Sequence, residues 1–240
     1  MKLSRRRVAA VFRKELRDLR RNGNVVYAMV VLPLVFLVQP VIGLLVSSPR
    51  AAAALRHEHP LVYMLAVPAL VPAALAAYSI VGERVQGTLE PLLTTPVARR
   101  ELVLGKALAA LLPSVVVAYA VFALYVALVG ALAAPGIATA VLRWPDIAAQ
   151  LVFTPLLALW SIWVGMAISA RMTDVRTASQ ISVLVSLPAV AVTSLIAFNV
   201  IPAELRVALG FGVGLSVLDR VGWVLAVSTF DRERLIVNTK

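Results

Sequence analysis

Residues 82–106 read GERVQGTLEPLLTTPVARRELVLGK, a polar island between two long apolar runs. The island carries Glu83, Arg84, Glu90, Arg99, Arg100, Glu101 and Lys106, punctuated by Gly87, Pro91 and Pro96. A plain connection between membrane helices needs only a few residues. This one is longer and holds helix signals of its own. Thr95-Pro96 has the form of an N-cap followed by proline at the first helical position. Thr88 has the form of a second N-cap, for a short helix over Leu89–Thr94, with Pro91 in the first turn, where a missing N–H costs little. The expected object is a short folded helix at a membrane surface, with Leu89, Leu92 and Leu93 as its apolar side.

The flanks of the island set the class. The chain has 240 residues, 61% of them hydrophobic, and a mean hydropathy of +0.91. Soluble domains average roughly 45–50% apolar residues, so an integral membrane protein is expected, with little room for a soluble domain. Apolar runs at about 25–47, 61–81, 107–130, 148–170, 178–199 and 207–230 each have the roughly 20 residues that cross a bilayer. The first run is too long for the core of a cleaved signal peptide and should stay as a membrane helix. Loops are expected at 48–60, 131–147 and 199–206, and a tight turn at 171–176.

Residues 1–24 hold nine Lys or Arg. Val8, Val11, Phe12, Leu16 and Leu19 recur at helical spacing, which predicts an amphipathic helix lying in the interface and drawn to anionic lipid; the plainer reading is a solvated basic tail. Asn22-Gly23-Asn24 ends it. The net charge is +11, yet the basic residues cluster at the ends of apolar runs, so topology explains them and a nucleic-acid partner is not expected. Segments 1–24, 82–106, 171–176 and 231–240 hold 18 Lys or Arg, against 4 in the opposite loops. That bias predicts both termini and the island on the cytoplasmic side of the cell membrane.

Few motifs for chemistry appear. There are no cysteines, which excludes disulfides and thiolate metal sites. A P-loop requires G-x-x-x-x-G-K-[ST]; here Gly105-Lys106 is followed by Ala107, and Arg100 stands where the first glycine belongs. His57-Glu58-His59 lacks the spacing of a zinc-binding helix, so a polar loop is expected and no metal. No acid/base cluster supports a membrane-embedded enzyme. Asp219 and Arg220 form the one charge pair inside a predicted run. Each costs roughly 2.5–3.5 kcal/mol at a helix centre, so the pair reads as a gating or substrate-path element, as a salt bridge, or as a misplaced span. Prolines in the first five runs fit a bundle that opens and closes, and are common in membrane helices generally. Gly210 and Gly214 form a G-x-x-x-G, a weak signal of close helix contact.

The run E-R-x-x-G-T-L-E-P-L-L-T-T-P-x-x-R-R-E-L-x-x-G-K resembles the cytoplasmic loop of ABC-2 type transporter permeases. Residues 170–182, ARMTDVRTASQIS, and 230–236, FDRERLI, are similar to that family's link between spans four and five and to its C-terminal ending. The resemblance implies an all-α polytopic membrane protein with six transmembrane helices and an N-terminal amphipathic helix, like an ABC-2 (type V) exporter transmembrane domain. Residues 25–230 would form the membrane domain and 231–240 a cytoplasmic tail. It implies that the island is a coupling helix docking into a separate ATPase subunit. The interface would use Glu83, Arg84, Gly87, Thr88, Leu89, Glu90, Leu92, Leu93, Thr95, Pro96, Arg100 and Glu101, with Arg99 beside them. It also implies a second permease, identical or a sister chain, with ATP and magnesium held by the ATPase and no cofactor on this chain. Export of a hydrophobic or amphipathic substrate follows as an expectation. The alternative from another class is an ATP-independent channel or scaffold. Family members often carry re-entrant helices before the last span, which leaves 202–218 open between re-entrant and straight.

Overall fold

A computed structural model describes residues 3–46, 59–88, 95 and 97–230. Among these, every regular element is helical. They are α1 (Arg5–Arg21), α2 (Gly23–Val46), α3 (Pro60–Tyr63), α4 (Ala66–Val85), α5 (Arg99–Leu132), α6 (Pro135–Val141), α7 (Trp144–Ser169), α8 (Val175–Ala197) and α9 (Leu205–Thr229). Six stretches are long and apolar enough to cross a membrane: Met29–Val46, Pro60–Val85, Arg99–Leu132, Trp144–Ser169, Val175–Ala197 and Leu205–Thr229.

α4 is the hub. Its sequence is rich in alanine, and nearly every residue from Ala66 to Glu83 is buried. Small side chains let neighbours approach closely without a hydrophobic driving force from water. α7 takes the most advantage. A Cβ on Gly165 would fall 2.6 Å from the Ala73 carbonyl oxygen and 2.8 Å from the Ala76 Cβ, so only glycine fits. Two serines of α7 fasten the contact. Ser161 donates to the Ala69 carbonyl, and Ser169 Oγ accepts from the Ile80 and Val81 amides at 3.0 and 3.1 Å. α8 packs on α4, and α9 packs on α7. Trp163 meets Trp223 edge-on at 5.4 Å, and Gly222 makes room for the Trp163 side chain.

The proline-containing helices mostly run on. Pro33 and Pro40 lie inside α2, Pro113 inside α5, Pro155 inside α7 and Pro188 inside α8. Pro68 is different, because it has no N–H for the Met64 carbonyl. There the apolar run breaks into α3 and α4, and Val67 N bonds Met64 O at 3.1 Å instead.

Several boundaries differ from the sequence reading. Gly82–Val85 continues α4, so less of 82–106 is loop than expected. α5 starts at Arg99 with Ala98 as its N-cap, not at Pro96. Glu101, at the third helical position, accepts from the Ala98 amide at 3.0 Å, which fixes the start there. Thr95 lies in a bend, and Pro96 and the expected helix 89–94 lie outside the described residues. The 131–147 loop contains α6, and α7 begins within it at Trp144, with proline in its first turn. Leu205–Thr229 is one unbroken helix, so 205–218 is not re-entrant; its first residue lies three beyond Pro202, with Glu204 as the N-cap.

Candidate functional site: a charged knot beneath the polar island

The two ends of the polar island are anchored differently, and each anchor can be traced to its residues. α4 stops through a glycine motif. Gly87 takes φ +69°, a conformation open to glycine and costly for most side chains. Its amide bonds the Arg84 carbonyl at 3.1 Å, and the Thr88 amide bonds the Glu83 carbonyl at 2.9 Å. This is a Schellman ending, which satisfies the last carbonyls of the helix. The Thr88 hydroxyl also points back to the Glu83 carbonyl, at 3.4 Å.

α1 lies across the start of α5. A Cβ on Gly105 would sit 2.7 Å from the Val11 Cβ and 3.1 Å from the Val8 carbonyl. Gly105 therefore lets the two helices touch. Val11 enters the core with Leu102, Val103 and Ala107.

Around this contact is a network of buried charge. Lys106 Nζ lies 2.9 Å from Glu15 Oε1, Glu83 Oε1 and the Ser79 carbonyl oxygen. Lys14 Nζ reaches Glu83 Oε1 at 2.7 Å, Glu15 Oε1 at 3.0 Å and Asp18 Oδ2 at 3.2 Å. Each ammonium thus has three acceptors, which matches its three protons. Lys106, Glu83 and Glu15 are all buried. Buried charges persist only when paired and hydrogen-bonded, because desolvation costs several kcal/mol per ion.

Burial alone would raise the Glu15 carboxyl's pKa, but Lys106 and then Lys14 outweigh it and hold the group below the usual carboxylate range. Burial opposes the charge on Lys14 as well. Glu15 and Glu83 overcome that and raise the ammonium above lysine's ordinary value.

A second clamp joins α1's N-terminus to α5. Glu101 is 1% exposed. Its Oε1 accepts from the Ser4 amide at 2.7 Å, and its Oε2 lies 2.9 Å from Arg7 Nε. Arg84 turns the other way and donates to the Met172 carbonyl in the turn between α7 and α8. In that turn Asp174 caps α8, its carboxylate accepting from the Thr177 amide at 2.7 Å and the Thr177 hydroxyl at 2.8 Å.

The residues singled out from sequence therefore fall into three groups. Glu83 and Glu101 are interior anchors, and Arg84 is half-buried. Gly87, Thr88, Thr95 and Arg100 lie on the described edges of the island, with Arg100 exposed on α5's first turn. Leu89, Glu90, Leu92, Leu93 and Pro96 lie outside the described residues. Lys14 and Glu15 were missed as site residues: among nine basic residues, Lys14 looks like one more lipid-facing charge. The available signal was Glu15 itself, an acid beside the apolar stripe.

Asp219 and Arg220 do not pair. Arg220 is exposed, while both Asp219 carboxylate oxygens are buried without a hydrogen-bond partner. Gly210 and Gly214 have open space around them. His59 sits at the opposite end of the bundle. Its Nδ1 is 2.7 Å from Asp146 Oδ1 and 2.6 Å from Arg143 Nη2, and Arg143 Nη2 is 3.0 Å from Asp146 Oδ2. His57 and Glu58 lie outside the described residues. Among the described residues no cluster could hold a metal ion.

Six stretches long and apolar enough to cross a membrane, with the basic helix α1 locked to them by buried ion pairs, define a polytopic membrane protein. A family model for ABC-2 family transporter proteins matches residues 9–230. The chain belongs to the ABC-2 transporter family and is a transmembrane permease component, and the matched region contains no catalytic domain. Comparison with curated protein sequences gives no match.

Proposed function

We propose that the chain is the permease subunit of an ATP-driven exporter, worked by a separate ATPase subunit that docks on residues 82–106. ABC-2 permeases generally pair with such an ATPase. The observation that supports coupling here is the double anchorage of the island. Within it, α4 carries Glu83 at the first end, α5 carries Glu101 and Lys106 at the second, and α1 binds all three. A push on the island therefore reaches α4, the most buried helix of the bundle, through ion pairs and not through a slack loop. Leu89, Leu92 and Leu93 supply apolar docking contacts, and Glu90 and Arg100 orient the partner. Electrostatic complementarity favours specificity over raw affinity.

The Lys and Arg bias supports a cytoplasmic side for both termini and the island in a cell-membrane protein. A second permease, identical or a sister chain, completes the path, and the substrate is hydrophobic or amphipathic. ATP and magnesium reside on the partner. The test is co-reconstitution of the permease with its ATPase in liposomes. Leu92→Ala and Glu90→Ala should each lower permease-dependent ATP turnover at least tenfold, by analogy with the loss of a docking hot spot. Full ATP-driven transport in both variants would overturn the coupling role of residues 82–106, and transport that needs no ATP would favour an ATP-independent channel or scaffold instead.

A further inference from the structure

The N-terminus of α1, the start of α5 and the end of α9 meet around an open groove of about 620 Å³. Leu3, Trp223, Val224 and Val227 form its apolar wall, and Arg99 and Arg100 stand at its rim. The wall is open to the surroundings: Leu3 is 50% exposed and Val224 54% exposed. Arg100 is exposed as well. Among the described residues one acid, Glu101, lines the groove. Its charge is spent inward, on the Ser4 and Ala98 amides and on Arg7.

Trp223, Val224 and Val227 belong to the membrane-crossing stretch Leu205–Thr229, and a tryptophan near the end of such a helix suits headgroup level. Arg220 stands four residues before Val224, on the same face of α9. It is exposed too, and it does not pair with Asp219. A cation on a lipid-facing surface is costly, and an anion held within reach offsets that cost. An apolar wall, an arginine at the rim and another one turn deeper match one chemistry: an acyl chain below an anionic headgroup. A soluble ATPase cannot follow such a wall into hydrocarbon.

We propose that this groove binds an anionic phospholipid of the leaflet nearest the island. Arg100 and Arg220 hold its headgroup, and an acyl chain lies along Trp223, Val224 and Val227. The basic face of α1 attracts anionic lipid only as a diffuse field; the groove is a discrete site. A lipid seated there bridges the start of α5 and the end of α9, at the second end of the island. The site stands apart from the permease reading and needs no ATPase.

The experiment uses the full chain in nanodiscs of equal parts phosphatidylglycerol and phosphatidylcholine. A photo-reactive amino acid is placed at Val224 and, as a control, at Val213, which is 64% exposed and lies nearer the start of α9. After irradiation the cross-linked lipid is identified by mass spectrometry. At Val224 phosphatidylglycerol should exceed phosphatidylcholine at least about tenfold, since each arginine near an anionic headgroup is worth about fivefold. At Val213 the two lipids should be captured about equally. Arg100→Gln combined with Arg220→Gln should bring Val224 to the Val213 ratio. Arg100→Lys combined with Arg220→Lys keeps both charges and should keep the excess.

Equal capture of the two lipids at Val224 would overturn the proposal. So would an equal excess at Val213, which would assign the effect to the protein's general basic field, or an excess that survives the paired glutamine variant. Cross-linking of Val224 to another copy of the chain in place of lipid would give the groove to a second permease and overturn it too.

Discussion

Replacing Lys106 by methionine should release α1 from the bundle. The substitution keeps most of the stem's packing and removes only the ammonium. Three acceptors lose this donor: the Ser79 carbonyl, and Glu15 Oε1 and Glu83 Oε1, which keep only Lys14. Lys14 then stands alone against two buried carboxylates. Removing one partner of a buried ion pair costs about 3–5 kcal/mol, mostly the penalty of the stranded charge.

Because the chain has no cysteine, Val11→Cys gives a clean reporter at a site 7% exposed and covered by Gly105. Its maleimide labelling requires α1 to lift, so the rate follows the open population. A loss of about 3 kcal/mol raises that population on the order of 10²-fold. Lys106→Met should therefore speed labelling by about that factor, relative to the reporter alone. Adding Glu83→Gln to Lys106→Met should slow labelling again, because one stranded charge is gone. A rate within about threefold of the reporter's would refute the claim that this knot holds α1.

Other outcomes follow from the same geometry. Gly105→Val should undock α1 at a cost of about 1–3 kcal/mol, read by the same labelling, since its Cβ would collide with Val11. Gly214→Ala, with open space around it, should leave both labelling and melting unchanged or slightly improved, by up to ~1 kcal/mol of helix propensity. Hydrogen-exchange protection of the α1 amides around Val11 should be flat from about pH 5 to about pH 10. Glu15's pKa is lowered on folding, so its contribution is full above the unfolded value of about 4.3 and is lost as pH falls through the folded one. Lys14's is raised, so its contribution is full below about 10.4 and is lost only at higher pH. At the opposite end, Asp146→Asn should lower the apparent melting temperature by about 5–10 °C, because Asp146 is buried against His59 and Arg143.

The membrane class was legible because it rests on length and local composition. Six apolar runs need no knowledge of the fold, and the stripe Val8, Val11, Phe12, Leu16, Leu19 announces α1 by periodicity alone. The island's ends were less legible. Thr95-Pro96 is a good local start signal, yet Glu101 reaching back to Ala98 sets the start of α5, and the Ser4 amide shares that carboxylate. Nor could the knot be read along the chain. Lys106 meets a residue 91 positions away, and Lys14 meets one 69 away. In sequence each is one more positive charge near a membrane; only packing turns Lys106 into an interior residue. The same holds for Asp219 and Arg220, adjacent in sequence but on different faces of α9, so they cannot be the pair their order suggests.

The central claim is that an ATPase subunit works this permease through the island. A photo-reactive amino acid at Thr88 and, separately, at Arg100 brackets the docking surface from its two described edges. After irradiation of native membranes, the tagged chain is purified and its cross-linked partner identified by mass spectrometry. The account predicts a subunit with Walker nucleotide-binding motifs at both positions and none from Trp144 at the opposite end. If neither Thr88 nor Arg100 captures an ATPase while the protein is folded and active, the coupling account is contradicted.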